Sequence, residues 1–112
     1  MINGGHVVIY SQDAEADRAF LRDVLGLRHV DAGHGWLIFA LPPSEIAVHP
    51  ASEGGVHEFF LMCDDLDATL VDLMAKGVAF SPIETPGWGR LTRLSLPGGG
   101  TLPLYQPRHI RP

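Results

Sequence analysis

Two histidines each open a short apolar segment that ends on aspartate. His6 leads Val7-Val8-Ile9-Tyr10-Ser11-Gln12-Asp13, and His57 leads Glu58-Phe59-Phe60-Leu61-Met62-Cys63-Asp64-Asp65. His57 stands 51 positions after His6, and the same offset carries Asp13 onto Asp64 and Gly26 onto Gly77. Histidine, strand, aspartate, helix and glycine thus fall in register twice, as in a duplicated module with one histidine at the mouth of each copy. Imidazole works near neutral pH as a ligand or a proton carrier, so this pair is the first candidate for chemistry. Its other reading is two cavity histidines hydrogen-bonded to each other or to water.

The remaining candidates are scattered. Glu45 and Glu58 each flank a histidine position and read by default as solvated strand-edge carboxylates. His49 precedes Pro50 at a strand end, as a rim residue. His34 sits between two glycines in a turn, and His109 belongs to the tail. Trp36, Trp88 and Tyr105 suit an aromatic pocket or a core, and the Pro86-Gly87-Trp88-Gly89 loop places Trp88 at a rim. Arg90 and Arg93 fall on opposite faces of one strand, so one of them can face a cavity and hold an anionic group. Cys63 closes an apolar strand beside acids, which disfavours a thiolate, and it reads as a small buried hydrophobe. Gly98-Gly99-Gly100 follows a proline between strands and opens no helix, so a hairpin turn is expected rather than a phosphate cradle.

These residues need elements to position them. Residues 6–11 form a short apolar strand, and Asp13 is a natural N-cap for a helix from Ala14 to Leu25. Phe20, Leu21, Val24 and Leu25 give that helix an apolar stripe, with Gly26 as its left-handed stop. Extended segments are expected at 28–32, 36–41 and 45–49, with a turn at 33–35 and Pro42-Pro43 ending the second of them. Residues 51–56 read as a linker. The second copy repeats the plan: a strand opened by His57, and a helix capped by Asp64 or Asp65 with Leu66, Leu70, Leu73 and Met74 on one face. Lys76 complements the dipole in its last turn, and Gly77 stops it. Residues 78–83, broken by Pro82, form an edge strand. Strands at 90–96 and 102–106 flank the glycine turn. The order is βαβββ twice, an α+β arrangement with helices outside curved sheets.

The chain has 112 residues, one domain's worth, and neither half is large enough to bury a good core alone. Hydrophobic residues make up 46% and charged residues 19%, as in ordinary soluble globular proteins. A net charge of −5 argues against nucleic acid as a partner, because phosphate binding needs a basic face. The single cysteine permits no intrachain disulfide and is compatible with a reducing compartment. There is no signal-peptide pattern, and no apolar stretch approaches the ~20 residues that span a bilayer. A soluble, cytoplasmic protein is expected.

Three stretches then bear a resemblance. Phe20-Leu21-Arg22-Asp23-Val24-Leu25-Gly26-Leu27, then Cys63-Asp64-Asp65-Leu66-Asp67 with Lys76-Gly77-Val78, then Trp88-Gly89, Pro97-Gly98-Gly99-Gly100 and Leu104-Tyr105-Gln106-Pro107 occur in order and at suitable separations. Together they resemble the vicinal-oxygen-chelate superfamily of glyoxalase I, extradiol dioxygenases and fosfomycin- and bleomycin-resistance proteins, over nearly the whole chain. The resemblance implies two modules, 1–53 and 54–112, forming half-barrel sheets around a cavity. It implies a divalent metal (Zn, Ni, Mn or Fe), with His6 and His57 at the first-strand ligand places. The last-strand ligand of such proteins is usually a glutamate, and here Pro103 holds that place, with Ile46 the matching residue of the first module. Neither can bind a metal.

Two histidines fall short of the usual iron or zinc sets. A third ligand would come from Glu45 or His49 if the strand register slips by one residue. The resemblance therefore implies a protein that holds a small organic ligand against Trp36, Trp88, Arg90, Arg93 and Tyr105 with an incomplete metal site. The alternative is a metal-dependent lyase, isomerase, dioxygenase or transferase built on His6 and His57. A homodimer is expected in either case, since paired short modules leave apolar faces to cover.

Overall fold

The computed structural model describes residues 6–9, 11–45, 47–48, 50, 52–54 and 57–110. The fold is mixed α+β. Helix α1 (Ala14–Ala19) starts where Asp13 accepts the backbone N–H of Ala16 at 3.1 Å. The expected helix to Leu25 continues as a single π-helical turn, Phe20–Val24, closed by the Leu25 N–H on the Phe20 carbonyl at 3.1 Å. Gly26 ends it at φ +67°. Strands β1 (His29–Asp31) and β2 (Leu37–Phe39) form an antiparallel hairpin. Its turn holds Gly33, His34 and Gly35, all at positive φ.

The second half builds the larger sheet. Strand β3 (Leu61–Met62) runs parallel to β5 (Thr101–Pro107), and β4 (Gly89–Ser95) runs antiparallel to β5, giving the order β3-β5-β4. Helix α2 (Leu66–Ala75) crosses between β3 and β4. Its start is capped twice, by Asp65 accepting from the Ala68 N–H and by the Gln106 side chain accepting from the Leu66 N–H. Its end is a Schellman turn, with the Gly77 N–H on the Met74 carbonyl, the Val78 N–H on the Leu73 carbonyl, and Gly77 at φ +79°. Lys76 serves the other helix: its ammonium donates to the Val24 carbonyl at the end of the π turn, at 3.0 Å.

One core joins both halves. Phe20 from the first half packs with Leu66, Leu70 and Leu73 of α2 and with Leu94, Leu96, Leu102 and Leu104 on and beside β4 and β5. Leu21, Val24 and Leu25 of the expected stripe pack partly buried against it, while Met74, expected on the buried face of α2, is exposed. Asp17 is buried on α1 and accepts the Gly98 N–H at 2.8 Å, tying the first helix to the β4–β5 turn.

The second half thus runs strand, helix, strand, strand, and the edge strand expected at 78–83 is reduced to two isolated bridges. Phe80 bridges Leu94 and Glu84 bridges Leu91, but Pro82 between them has no N–H for a continuous ladder. The first copy departs from the plan. Residues 6–11 and 45–49, expected as strands, join no ladder among the described residues, and Val7, Val8, Ile9 and Val48 are exposed. Ile46, His49 and Tyr10 lie outside the described residues. An apolar segment becomes a strand only where its N–H and C=O groups meet a partner edge, and among the described residues the first-half sheet holds β1 and β2 alone.

Candidate functional site

Alternation along β5 sorts its side chains. Leu102 and Leu104 enter the core and Gln106 caps α2, so Pro103 and Tyr105 lie on the opposite face of the sheet. The register sets Leu91 of β4 and Met62 of β3 beside Tyr105 and sets Arg93 beside Pro103. Three aromatic rings gather on this face. Tyr105, Trp88 and Phe60 meet edge-to-face in every pair, with centroids 5.4 Å apart for Trp88–Tyr105, 5.5 Å for Phe60–Tyr105 and 6.0 Å for Phe60–Trp88. These are the preferred geometries of aromatic pairs. Tyr105 is 9% exposed, whereas Trp88 keeps 47% of its surface open.

Among the described residues, the Glu45 and His109 side chains close on the phenol. The Tyr105 hydroxyl donates to Glu45 Oε1 at 3.3 Å, and His109 Nε2 lies 3.2 Å from the same oxygen and 3.4 Å from the hydroxyl. Glu45 comes from the end of the first half and His109 from the tail. The site is therefore an aromatic wall with a carboxylate, a phenol and an imidazole at one corner. Chemically, it can stack a planar group and accept or donate hydrogen bonds beside it.

The expected site residues separate. Trp88 and Tyr105 come together. Trp36 packs instead under the Arg18 guanidinium of α1, 5.0 Å from its ring centroid, and makes no ring contact with the cluster among the described residues. Arg90 faces α2 and gives two hydrogen bonds to Asp67, at 2.8 and 3.0 Å. Arg93 lies on the face that carries Tyr105 and is exposed. His6 and His57 are both exposed. Among the described residues no group of three or more His, Cys, Asp or Glu side chains is placed to hold a metal, and Pro103 offers no donor on β5. These residues do not fit a three-ligand centre.

Phe60 and His109 joined the site without being singled out as pocket residues. Strand alternation could have found Phe60, two residues before Met62. No local signal marks His109, because its contact depends on where the tail turns back. Arg108 starts that return, its N–H bonding the Trp88 carbonyl at 3.1 Å.

The Arg90–Asp67 pair carries a pH prediction. Hydrogen bonding from Arg90 holds the Asp67 carboxyl below the usual carboxylate range. A depressed pKa contributes stability above the unfolded value, and that stability is lost as the pH falls through the folded value. Arg90→Ala should therefore melt slightly below the parent at neutral pH and level with it in strong acid. The neutral-pH gap should shrink in high salt, as for any exposed pair. Paired thermal melts across the acid range check this.

The model of the Glyoxalase/Bleomycin resistance protein/Dioxygenase superfamily matches residues 4–95. A glyoxalase/bleomycin resistance protein from Streptomyces sp. CB03234 is similar at 25% identity and TM-score 0.61, over 86% of this chain and 93% of that one. An antibiotic-binding protein from the same organism shares 24% identity at TM-score 0.64, over 92% and 99% of the two chains. A lactoylglutathione lyase from Agrobacterium tumefaciens shares 19% identity at TM-score 0.65, over 89% and 90%, a likeness of fold. No curated protein matches the chain.

Proposed function

From the premise that this chain belongs to the Glyoxalase/Bleomycin resistance protein/Dioxygenase superfamily, we propose that it is a binding protein for a small organic ligand. The ligand rests on the Phe60–Trp88–Tyr105 wall, inside a cavity that modules 1–53 and 54–112 enclose as half-barrels. The observation that carries this reading is the half-open Trp88 ring beside a hydrogen-bonded Glu45 and Tyr105. Binding pockets combine such apolar walls with a few polar groups that orient the ligand. Pro103 in place of a ligating side chain supports binding without a metal step. The antibiotic-binding neighbour points to antibiotics as the first class to screen.

Bleomycin is the first probe, titrated calorimetrically. Trp88→Ala should weaken its binding by about tenfold or more, since a buried aromatic anchor contributes on the order of 1.5–2 kcal/mol. Heat of binding that is unchanged in Trp88→Ala would sink this placement.

A second reading keeps His6 and His57 as ligands of one divalent metal, because the 51-residue repeat pairs them. Elemental analysis after incubation with Ni, Zn, Mn and Fe(II) decides it. Metal retained by the parent and lost from His6→Ala and His57→Ala would favour it over the first.

The exposed apolar side chains of the first half, Val7, Val8, Ile9, Val30 and Leu41, are covered by a second copy in this proposal. Sedimentation should give twice the chain mass. A monomer at micromolar concentration would refute the homodimer. Among the described residues no helix is long and apolar enough to cross a membrane, and the protein is proposed to work in the cytoplasm.

A further inference from the structure

The corner of the proposed site is already filled, and its occupant belongs to the chain itself. His109 folds back so that its ring stands 6.5 Å from the Tyr105 ring, tilted by 41°, with Nε2 within reach of both Glu45 and the phenol. Its Nδ1 lies 3.0 Å from the Ile110 carbonyl. A carbonyl only accepts, so Nδ1 carries a hydrogen. Tyr105 already donates to Glu45 Oε1. Nε2 faces the same oxygen, 3.2 Å away. A planar ring thus sets a nitrogen against a carboxylate, an acceptor of N–H groups, beside an aromatic wall.

The hold is weak by its geometry. Distances of 3.2–3.4 Å are at the long end for such bonds, and the His109 side chain is 43% exposed against 22% for Glu45. Among the described residues, a backbone bond from the Arg108 N–H to the Trp88 carbonyl steadies the segment. A group that binds the corner better would displace the ring at little cost.

We propose that residues 108–110 are an autoinhibitory latch over the ligand site, and that the group displacing His109 is a planar nitrogen heteroaromatic ring that presents an N–H to Glu45. This rests on the ligand-binding reading above and adds to it the chemistry of the anchored group. Residues 108–110 compete with the ligand for the carboxylate, and their release couples binding to exposure of that segment.

The test uses the full chain in a Trp36→Phe background, which leaves Trp88 as the only indole. Benzimidazole is titrated while Trp88 fluorescence is followed. His109→Ala should bind it about two- to fivefold more tightly than the parent, the factor that corresponds to losing one partly exposed competing contact of about 0.5–1 kcal/mol. Adding Glu45→Gln should weaken binding in both backgrounds. Naphthalene, of similar size and without an N–H, should bind less well than benzimidazole.

In the parent, magnetisation transfer between the His109 and Tyr105 ring protons should vanish as benzimidazole saturates the site. Equal affinities for the parent and His109→Ala, or transfer that survives saturation, would overturn the latch while leaving the ligand site standing. Naphthalene binding as tightly as benzimidazole would overturn the heteroaromatic class. No response to either probe in any variant would overturn the whole inference, and the bleomycin titration then judges the ligand-binding reading independently.

Discussion

Replacing Leu94 with alanine is expected to lower the unfolding free energy by about 3 kcal/mol, within the usual 2–5 kcal/mol for such a core truncation. Leu94 is fully buried on β4, opposite Leu102 on β5 and bridged to Phe80 on the sheet edge. Its side chain lies in the one core that the sheet shares with α2 and Phe20. Truncation removes apolar contacts and leaves a cavity that a paired strand is poorly able to close. Urea denaturation should show a lower midpoint with an unchanged slope, the signature of lost stability in the same two states. The exposed Val71 on α2 is the control, and Val71→Ala should stay within about 0.5 kcal/mol of the parent. Similar costs at both positions would mean that the core has been placed wrongly.

The second large effect concerns the joint between the halves. Asp17→Ala removes the acceptor of the partly buried Gly98 N–H, and an unpaired buried donor costs about 1–3 kcal/mol. Gly98→Ala should cost a similar amount by another route. A methyl there would come within 2.8–3.0 Å of the Asp17 carboxylate oxygens and would overlap the Ser11 hydroxyl. That hydroxyl already accepts the Asp13 N–H, so moving it disturbs the helix cap. Both changes break the same bond, and the double variant should lose clearly less than the two single losses together. Thermal melts of the three variants and the parent supply the cycle. Fully additive losses would show that Asp17 and Gly98 do not act as a unit.

Local rules carried far in this chain. Asp13 and Asp65 cap the helices, and Gly26 and Gly77 stop them in the left-handed conformation. Each of these features depends on residues a few positions away, so neighbours in sequence suffice to specify it. The glycine run after Pro97 makes a hairpin turn for the same reason, with the Leu96 N–H on the Gly100 carbonyl at 2.9 Å. The π turn at Phe20–Val24 escaped notice, since its residues fit an α-helical stripe equally well. The same is true of Lys76, whose ammonium reaches the end of the other helix rather than its own.

The candidate site was only half legible. Trp88 and Tyr105 could be named from a loop and a strand, because residue type and alternation mark open aromatics. Their meeting with Phe60, and the return of Glu45 and His109 to one hydroxyl, join positions up to 60 residues apart. Arg90 and Arg93 show the same boundary. Strand alternation said that they must part, but only the packing of α2 decided that Arg90 turns to Asp67 and leaves Arg93 on the face with Tyr105.

By itself the sequence determined the family, the mixed α+β class, the helix caps and stops and the absence of a donor at position 103. Those follow from residue types, spacing and backbone preferences over a few residues. Tertiary structure alone decided that both helices share one core, that Asp17 holds Gly98, and that the tail closes on Tyr105. Each of those outcomes depends on which surfaces meet when apolar area is buried, and burial couples residues by distance in space whatever their distance along the chain.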